Sequence, residues 1–218
     1  MIDTAQARRT MVDSQIRASD VTDARVLEAF LETPREAFLP ADKQAIAYLD
    51  MDIPVGGAPL PRFAIEPAVL ARLLQAARIG SADAVLDVGT GTGYSSAILA
   101  RIAGRVVALE SDAALAAEAK GRLAGLANVT VAIGPLEAGH AKDGPYDAIV
   151  LEGSVELVPD ALFDQLAQNG RLVAVVGTGR SARATIYVKA GREVSGREAF
   201  DAALPPLPGF ARPEVFAF

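Results

Sequence analysis

Val85-Leu86-Asp87-Val88-Gly89-Thr90-Gly91-Thr92-Gly93-Tyr94 is the stretch of this chain whose residue types and spacing could do chemistry. An apolar run leads straight into a glycine-rich turn, and a helical pattern follows. Glycines in such a turn let backbone come close to a ligand, and the start of the helix offers unpaired N–H groups. A dinucleotide fingerprint needs glycine five residues after Gly89, where Tyr94 stands; the glycines fall at Gly89, Gly91 and Gly93. No Gly-Lys-Ser/Thr follows, so a phosphate-binding Walker loop fails too. Asp87, at the strand end, would repel a pyrophosphate but suits a ligand carrying an ammonium or sulfonium. The next strand pattern closes at Glu110, twenty-one residues after Gly89, where a carboxylate can accept hydrogen bonds from two ribose hydroxyls. Together these features describe a nucleoside without phosphate, and S-adenosyl-L-methionine is the common metabolite of that description, with S-adenosyl-L-homocysteine as its product.

Such residues must be held at one edge of a sheet. From Ala82 onward, short apolar runs alternate with helical patterns, which is the signature of strand-helix-strand units. Strands are expected at Ala84–Val88, Val106–Leu109, Val129–Ile133, Asp147–Leu151 and Leu172–Val176, with an added strand at Ala184–Val188. Helices are expected at Ser95–Ala103, at Asp112–Ala124 capped by Ser111, and at Pro159–Gln168 ending at Gly170. Upstream, Val26, Leu27, Phe30 and Leu31 share one helical face, started by Thr22 with Asp23 in the first turn and ended by Pro34. A second helix begins near Pro67 and runs to a glycine stop at Gly80. The Gly- and Pro-rich stretch Asp52–Pro61 reads as irregular, either a binding loop or a connector, and the region around Pro205-Pro206-Leu207-Pro208 reads as irregular too. The expected fold is α/β, a Rossmann-like, mostly parallel, doubly wound sheet with an N-terminal helical extension. Residues 1–80 form the helical segment and substrate-side loop, and residues 81–218 the cofactor-binding core.

Composition narrows the chemistry further. The chain has 218 residues, no cysteine and one histidine, His140. That excludes disulfides, thiolate metal sites, a cysteine nucleophile and a multi-histidine metal centre. A net charge of −6 gives no overall field for phosphates, and the Arg8-Arg9 pair is too short for a nucleic-acid tail. The stretch Met1–Arg9 has no apolar core of signal-peptide length and no apolar run reaches the roughly 18 residues of a membrane span, so a cytoplasmic protein with no nucleic-acid or membrane partner is expected.

Beyond these patterns, the chain resembles the protein-L-isoaspartate O-methyltransferase family from Met11 to about Arg180. The likeness is carried by Met11-Val12-Asp13-Ser14-Gln15-Ile16-Arg17, by Arg25-Val26-Leu27-Glu28-Ala29-Phe30, and by Pro34-Arg35-Glu36-Ala37-Phe38-Leu39-Pro40. It continues through the glycine turn and Pro145-Tyr146-Asp147-Ala148-Ile149-Val150 to Pro159. The resemblance implies a methyltransferase that uses S-adenosyl-L-methionine to methylate isoaspartyl carboxylates in damaged proteins, by in-line displacement with no obligatory general base. It also implies a cofactor set of Asp87, Gly89, Thr90, Gly91, Tyr94, Glu110, Ser111 and Leu136.

Several positions depart from the family pattern. Where the family has a Thr-Ile-Ser type motif before the proline of the helix at Pro67, this chain has Phe63-Ala64-Ile65, and two hydroxyls become apolar side chains. The loop before it, through Arg62, is about two residues longer than the family's. After the third strand Gly134-Pro135-Leu136 stands for Gly-Asp-Gly, and after the fourth Glu152-Gly153-Ser154 stands for Thr-Ala-Ala. Arg62, Phe63 and Ile65 are therefore the substrate-side candidates, Arg62 as the cation that orients a substrate carboxylate. Phe63 and Ile65 either pack beneath the loop or line an apolar acceptor pocket. Glu152 and Glu156 either flank the acceptor or lie in a solvated loop, and His140 reads as a surface loop residue. Three other readings stay open: a methyltransferase for another, more apolar small-molecule acceptor, a catalytically silent binding module, and, more distantly, a dehydrogenase.

Overall fold

The computed structural model describes residues 3–57 and 60–212; Ala58 and Pro59 of the Gly-Pro stretch and residues 213–218 of the C-terminal segment lie outside the described residues. Ala84, Val85, Leu86, Asp87 and Val88 are all buried, and an apolar run with both faces covered is what a central parallel strand requires. They form β3, numbering strands in chain order: β1 Ile53–Gly56, β2 Arg62–Ala64, β3 Ala84–Val88, β4 Arg105–Glu110, β5 Val129–Ile133, β6 Tyr146–Val155, β7 Leu166–Val176, β8 Arg183–Ala190 and β9 Glu193–Asp201. The main sheet has seven strands in the order β5-β4-β3-β6-β7-β8-β9, with β3 to β7 parallel and β8 and β9 antiparallel. The winding reverses between β3 and β6, so the carboxyl ends of β3, β4 and β6 border the crevice where open α/β sheets take ligands.

The helices are α1 Thr4–Met11, α2 Ala24–Glu32, α3 Pro67–Ala77, α4 Tyr94–Ile102, α5 Ala113–Leu123 and α6 Asp160–Asp164. One face of the sheet buries Val85, Val106, Ala108, Val150 and Val173 against Phe30 of α2, Leu70 and Leu74 of α3, Ile98 of α4 and Ala119 of α5. The other face buries Leu86, Val88, Leu109, Ile149 and Leu151 against Leu162 of α6, Leu136, Leu207 and Phe210. Among the described residues, no helix is long and apolar enough to cross a membrane.

Several boundaries differ from expectation for identifiable reasons. Asp23, not Thr22, caps α2 through Arg25 N, and Asp112, not Ser111, caps α5 through Ala114 N and Leu115 N, because the aspartate sits one residue closer to the first helical turn. Helix α3 stops at Ala77 with Arg78 in the left-handed region at φ 49°, before Gly80 is reached. Helix α6 ends at Asp164 rather than Gln168, since the Gln165 carbonyl accepts Tyr146 N and the chain passes directly into β7. The segment expected to be irregular contains β1, which pairs antiparallel with β2; Ile53 and Val55 point inward and Pro54 and Gly56 outward, a period of two. Strand β9 has mostly exposed residues, four of its nine charged, and among the described residues pairs only with β8, as an edge strand does, so no apolar alternation announces it.

The β1–β2 hairpin is held over the sheet edge by Arg35, which is fully buried. Its Nη2 donates to Met51 O at 3.2 Å, Ala64 O at 3.0 Å and Ile65 O at 2.9 Å, and its Nη1 to Leu49 O at 3.4 Å. Burial pushes its pKa down, opposed by Tyr94, Asp52, Asp50 and Tyr48. Asp52 Oδ1 accepts Glu66 N at 2.9 Å and fixes the entry to α3. On the opposite side the C-terminal segment runs beside β6: Ser154 N donates to Pro205 O and Leu207 N to Ser154 O, both at 2.9 Å.

Candidate active site

The glycine turn leaves β3 with positive φ at Gly89 (87°), Gly91 (56°) and Gly93 (99°), conformations that favour glycine. Gly89 N and Thr90 N both donate to Leu109 O, at 2.8 and 3.1 Å, which locks the turn to the neighbouring strand. Thr90 Oγ1 meets Ser96 Oγ at 2.8 Å, and Thr92 Oγ1 donates to Phe38 O at 2.6 Å.

Glu110 closes β4 and is fully buried. Its Oε2 accepts Gly91 N at 2.8 Å, and its Oε1 accepts Ser111 N at 2.8 Å, Asp112 N at 3.1 Å and Ser111 Oγ at 3.3 Å. The expected acid therefore stands against the expected turn. Ser111 serves it as a donor, from both backbone and side chain.

Asp87 is buried at the end of β3, where its Oδ2 accepts the hydroxyls of Ser95, at 2.7 Å, and Ser96. Burial pushes its pKa up, and the Ser96 and Ser95 hydroxyls pull it back. Its other neighbour is Glu152 of β6, which is also buried. The two carboxyls are hydrogen-bonding neighbours, yet among the described residues neither Asp87 Oδ1 nor Glu152 Oε1 meets an N–H or O–H donor. Two such oxygens need a proton between them. Burial and then the Asp87 charge push Glu152 well above the usual carboxylate range, which favours holding that proton on Glu152, while the serines favour the ionised form of Asp87.

Arg62, the first residue of β2, reaches into the same space and is only 3% exposed. Its Nη2 donates to Gly89 O at 2.7 Å and lies 3.4 Å from Glu110 Oε2, while Nη1 has no acceptor among the described residues. Burial lowers its pKa, opposed by Glu110, Glu152 and Asp87. A Cβ placed on Gly89 would lie 2.5 Å from Arg62 Nη2 and 2.9 Å from Leu207 Cδ2. Both residues therefore cover the turn.

Phe63 and Ile65 line a cavity with Val55, Leu70, Thr90 and Glu152, but its volume is only about 10 Å³, scarcely room for one water. Tyr94 reaches the wall of this cavity while its ring packs against Phe30 and Phe38, at centroid distances of 6.2 and 5.7 Å. Leu136 is fully buried on the opposite sheet face, next to the turn after β5. Glu156 is half-buried and accepts Arg212 N, and His140 pairs with Asp143 in a partly exposed loop.

Sequence reading passed over three members of the site. Ser95 and Ser96 follow the glycines at the start of α4, where first-turn hydroxyls meet the acid that ends the preceding strand, and that adjacency was a usable signal. Leu207 lies more than a hundred residues from Gly89 in a proline-rich stretch, and no local pattern links the two.

For a nucleoside methyl donor, the groups present are chemically suitable. The Glu110 carboxylate has the chemistry to accept hydroxyl donors, the positive-φ backbone at Gly89 and Gly91 carries no side chain, and a carboxylate such as Asp87 suits an ammonium or sulfonium. The space above Gly89, however, is filled by Arg62 and Leu207. A sheet of this order, with a glycine turn at its switch point and an acid closing the next strand, defines the class of S-adenosyl-L-methionine-dependent methyltransferases. The family model for protein-L-isoaspartate(D-aspartate) O-methyltransferase matches residues 6–207, and the chain belongs to that family. It is an enzyme of that class, with S-adenosyl-L-methionine as its methyl donor.

Among relatives, the chain is 42% identical over 173 residues to a protein-L-isoaspartate O-methyltransferase of Koribacter versatilis, covering 78% of this chain and 77% of the relative. It is 40% identical over 178 residues to one of Methylorubrum populi, covering 81% and 82%. A solved protein-L-isoaspartate O-methyltransferase superposes with a TM-score of 0.81 at 24% identity, covering 93% of this chain and 66% of the other. A beta-aspartate methyltransferase from Plasmodium falciparum, in complex with S-adenosyl-L-homocysteine, superposes with a TM-score of 0.75 at 18% identity, covering 91% and 96%. At these identities the two structures speak for the fold.

Proposed function

We propose that the protein methylates the carboxylate of isoaspartyl residues in damaged cytoplasmic proteins. The observation that carries this reading is the family match over residues 6–207, which spans both the glycine turn and the hairpin that faces it. When bound, S-adenosyl-L-methionine supplies an electrophilic methyl group on a good leaving group. In our reading Glu110 accepts the ribose hydroxyls, the Gly89–Gly91 backbone approaches the donor, and Asp87 compensates its positive charge. Phe63, Ile65 and Leu70 keep water from the acceptor side. An isoaspartyl carboxylate is ionised at neutral pH, so the chain needs to align it rather than deprotonate it.

A labelled methyl group offered with an isoaspartyl peptide, and with the same peptide carrying ordinary aspartate, tests the substrate. Label on the isoaspartyl peptide alone is the expected outcome. A second reading, a more apolar acceptor, is supported by the Phe63 and Ile65 lining; label on neither peptide, with turnover of a small apolar molecule, selects it.

A further inference from the structure

We propose that Arg62 is an internal competitor for the donor crevice and that its release from Glu110 and Gly89 sets how tightly the methyl donor binds. The inference rests on the methyltransferase reading above and concerns the same crevice. Three observations converge on it. The guanidinium is buried with one nitrogen on Gly89 O and near Glu110 Oε2, the two groups at which a nucleoside has to arrive. Nη1 has no acceptor among the described residues, so the fork is anchored on these two groups through Nη2 alone. Leu207, brought in by the ladder between the C-terminal segment and Ser154, stands with Arg62 over Gly89, its Cδ2 2.9 Å from where a Cβ there would lie.

Arg62 and a donor cannot share this space. Glu110 Oε1 already serves Ser111 and Asp112, and Oε2 serves Gly91 and Arg62. Of these partners only Arg62 reaches in from another element, the hairpin; the others belong to the turn and to the chain following β4. Arg62 is therefore the one that can leave without dismantling β4. A sulfonium beside a retained guanidinium would also meet like charge in a dry cleft. The competent state is then the fraction of molecules with Arg62 displaced, and apparent affinity is reduced by that fraction.

The test measures S-adenosyl-L-homocysteine binding by calorimetry for the full chain and for Arg62→Ala, Arg62→Lys and Leu207→Ala, each checked by thermal melt. We expect Arg62→Ala to bind about tenfold more tightly, as removal of a largely populated closed state requires. Leu207→Ala shifts the same way by less, and Arg62→Lys falls between Arg62→Ala and the parent because a lysine keeps the charge without the fork. Guanidinium ion at low millimolar concentration should weaken binding to Arg62→Ala, by reoccupying the vacated place, and leave the parent unchanged; a merely structural role of Arg62 would not produce that response. Folded Arg62→Ala that binds no more tightly than the parent overturns the proposal. If that variant does not fold, unchanged affinity in both Arg62→Lys and Leu207→Ala overturns it instead. Binding by the parent with no change in any variant removes only the role of Arg62, whereas no binding by the parent or any variant removes the donor reading as well.

Discussion

The two halves of the cleft, the glycine turn with Glu110 and the hairpin that faces it, are positioned by different means. Around Gly89 and Glu110 the contacts run between adjacent strands and the turns that follow them: two turn amides on Leu109 O, one on the Glu110 carboxylate, and two more amides of the chain leaving β4 on that same carboxylate. The hairpin that carries Arg62, Phe63 and Ile65 depends instead on Arg35, whose guanidinium gathers carbonyls from Leu49, Met51, Ala64 and Ile65. Backbone amides are supplied by the fold whatever the side chains are, so the turn half depends on few side chains beyond its glycines and acids. The hairpin half rests on a side chain from outside the hairpin.

The widest separation of the two halves is expected from Arg35→Met. The buried Ala64 and Ile65 carbonyls and the part-buried Leu49 and Met51 carbonyls lose their donor, at a cost of about 4 kcal/mol. Urea unfolding measures this, and a loss below about 1 kcal/mol would mean that the hairpin has other anchors. Arg35→Lys should recover only part, because one ammonium cannot span the same carbonyls. Next comes Glu110→Ala, which strands Arg62 and three amides and should remove about 3 kcal/mol. This variant should also lose S-adenosyl-L-homocysteine binding. Full stability with lost binding would show that the turn holds itself and that Glu110 serves the ligand alone.

The same difference governs how much of the molecule was legible in its sequence. The juxtaposition of the glycine turn and Glu110 is readable because it follows from local pattern: the apolar run into Gly89-Thr90-Gly91-Thr92-Gly93 and the acid that closes the next strand. The parallel strands β3 and β5 fell where their apolar runs predicted, at Ala84–Val88 and Val129–Ile133. What was missed depends on contacts distant in sequence. Strand β9 is defined only by its partner, β8. The early end of α6 is set by Tyr146 taking the Gln165 carbonyl. Leu207 reaches Gly89 only because the C-terminal segment pairs beside Ser154. The sequence leaves Glu152 open between an acceptor-flanking and a solvated acid, and its burial beside Asp87 follows from the register of β3 with β6, where Val88 pairs with Leu151.

The Asp87–Glu152 contact sits where the two halves meet and gives a pH test. Burial and the Asp87 charge raise the Glu152 pKa above its unfolded value. A raised carboxyl keeps its full contribution below the unfolded value, near 4.5, and stability is lost as pH rises from there through the folded pKa. Asp87 shifts in the same direction but is moderated by its serines. Glu152→Gln removes the titration and lets an amide N–H donate to Asp87, so the variant should gain on the parent between pH 5 and pH 8 by about 1 kcal/mol. Thermal melts across that range should diverge as pH rises; parallel curves would mean that the pair is solvated.

The smallest expected effect concerns the seam itself. Phe38 O accepts Thr92 Oγ1 at 2.6 Å and Arg122 Nη1 at 2.8 Å, which ties the glycine turn and α5 to the segment that begins at Arg35. Either donor alone still satisfies that carbonyl. Thr92→Val and Arg122→Met should therefore each cost less than about 1 kcal/mol, and only the double variant leaves Phe38 O buried without a partner. The loss in the double variant should exceed the sum of the single losses by about 1 kcal/mol. Strict additivity would show that the two donors contribute independently and do not back each other up at one acceptor.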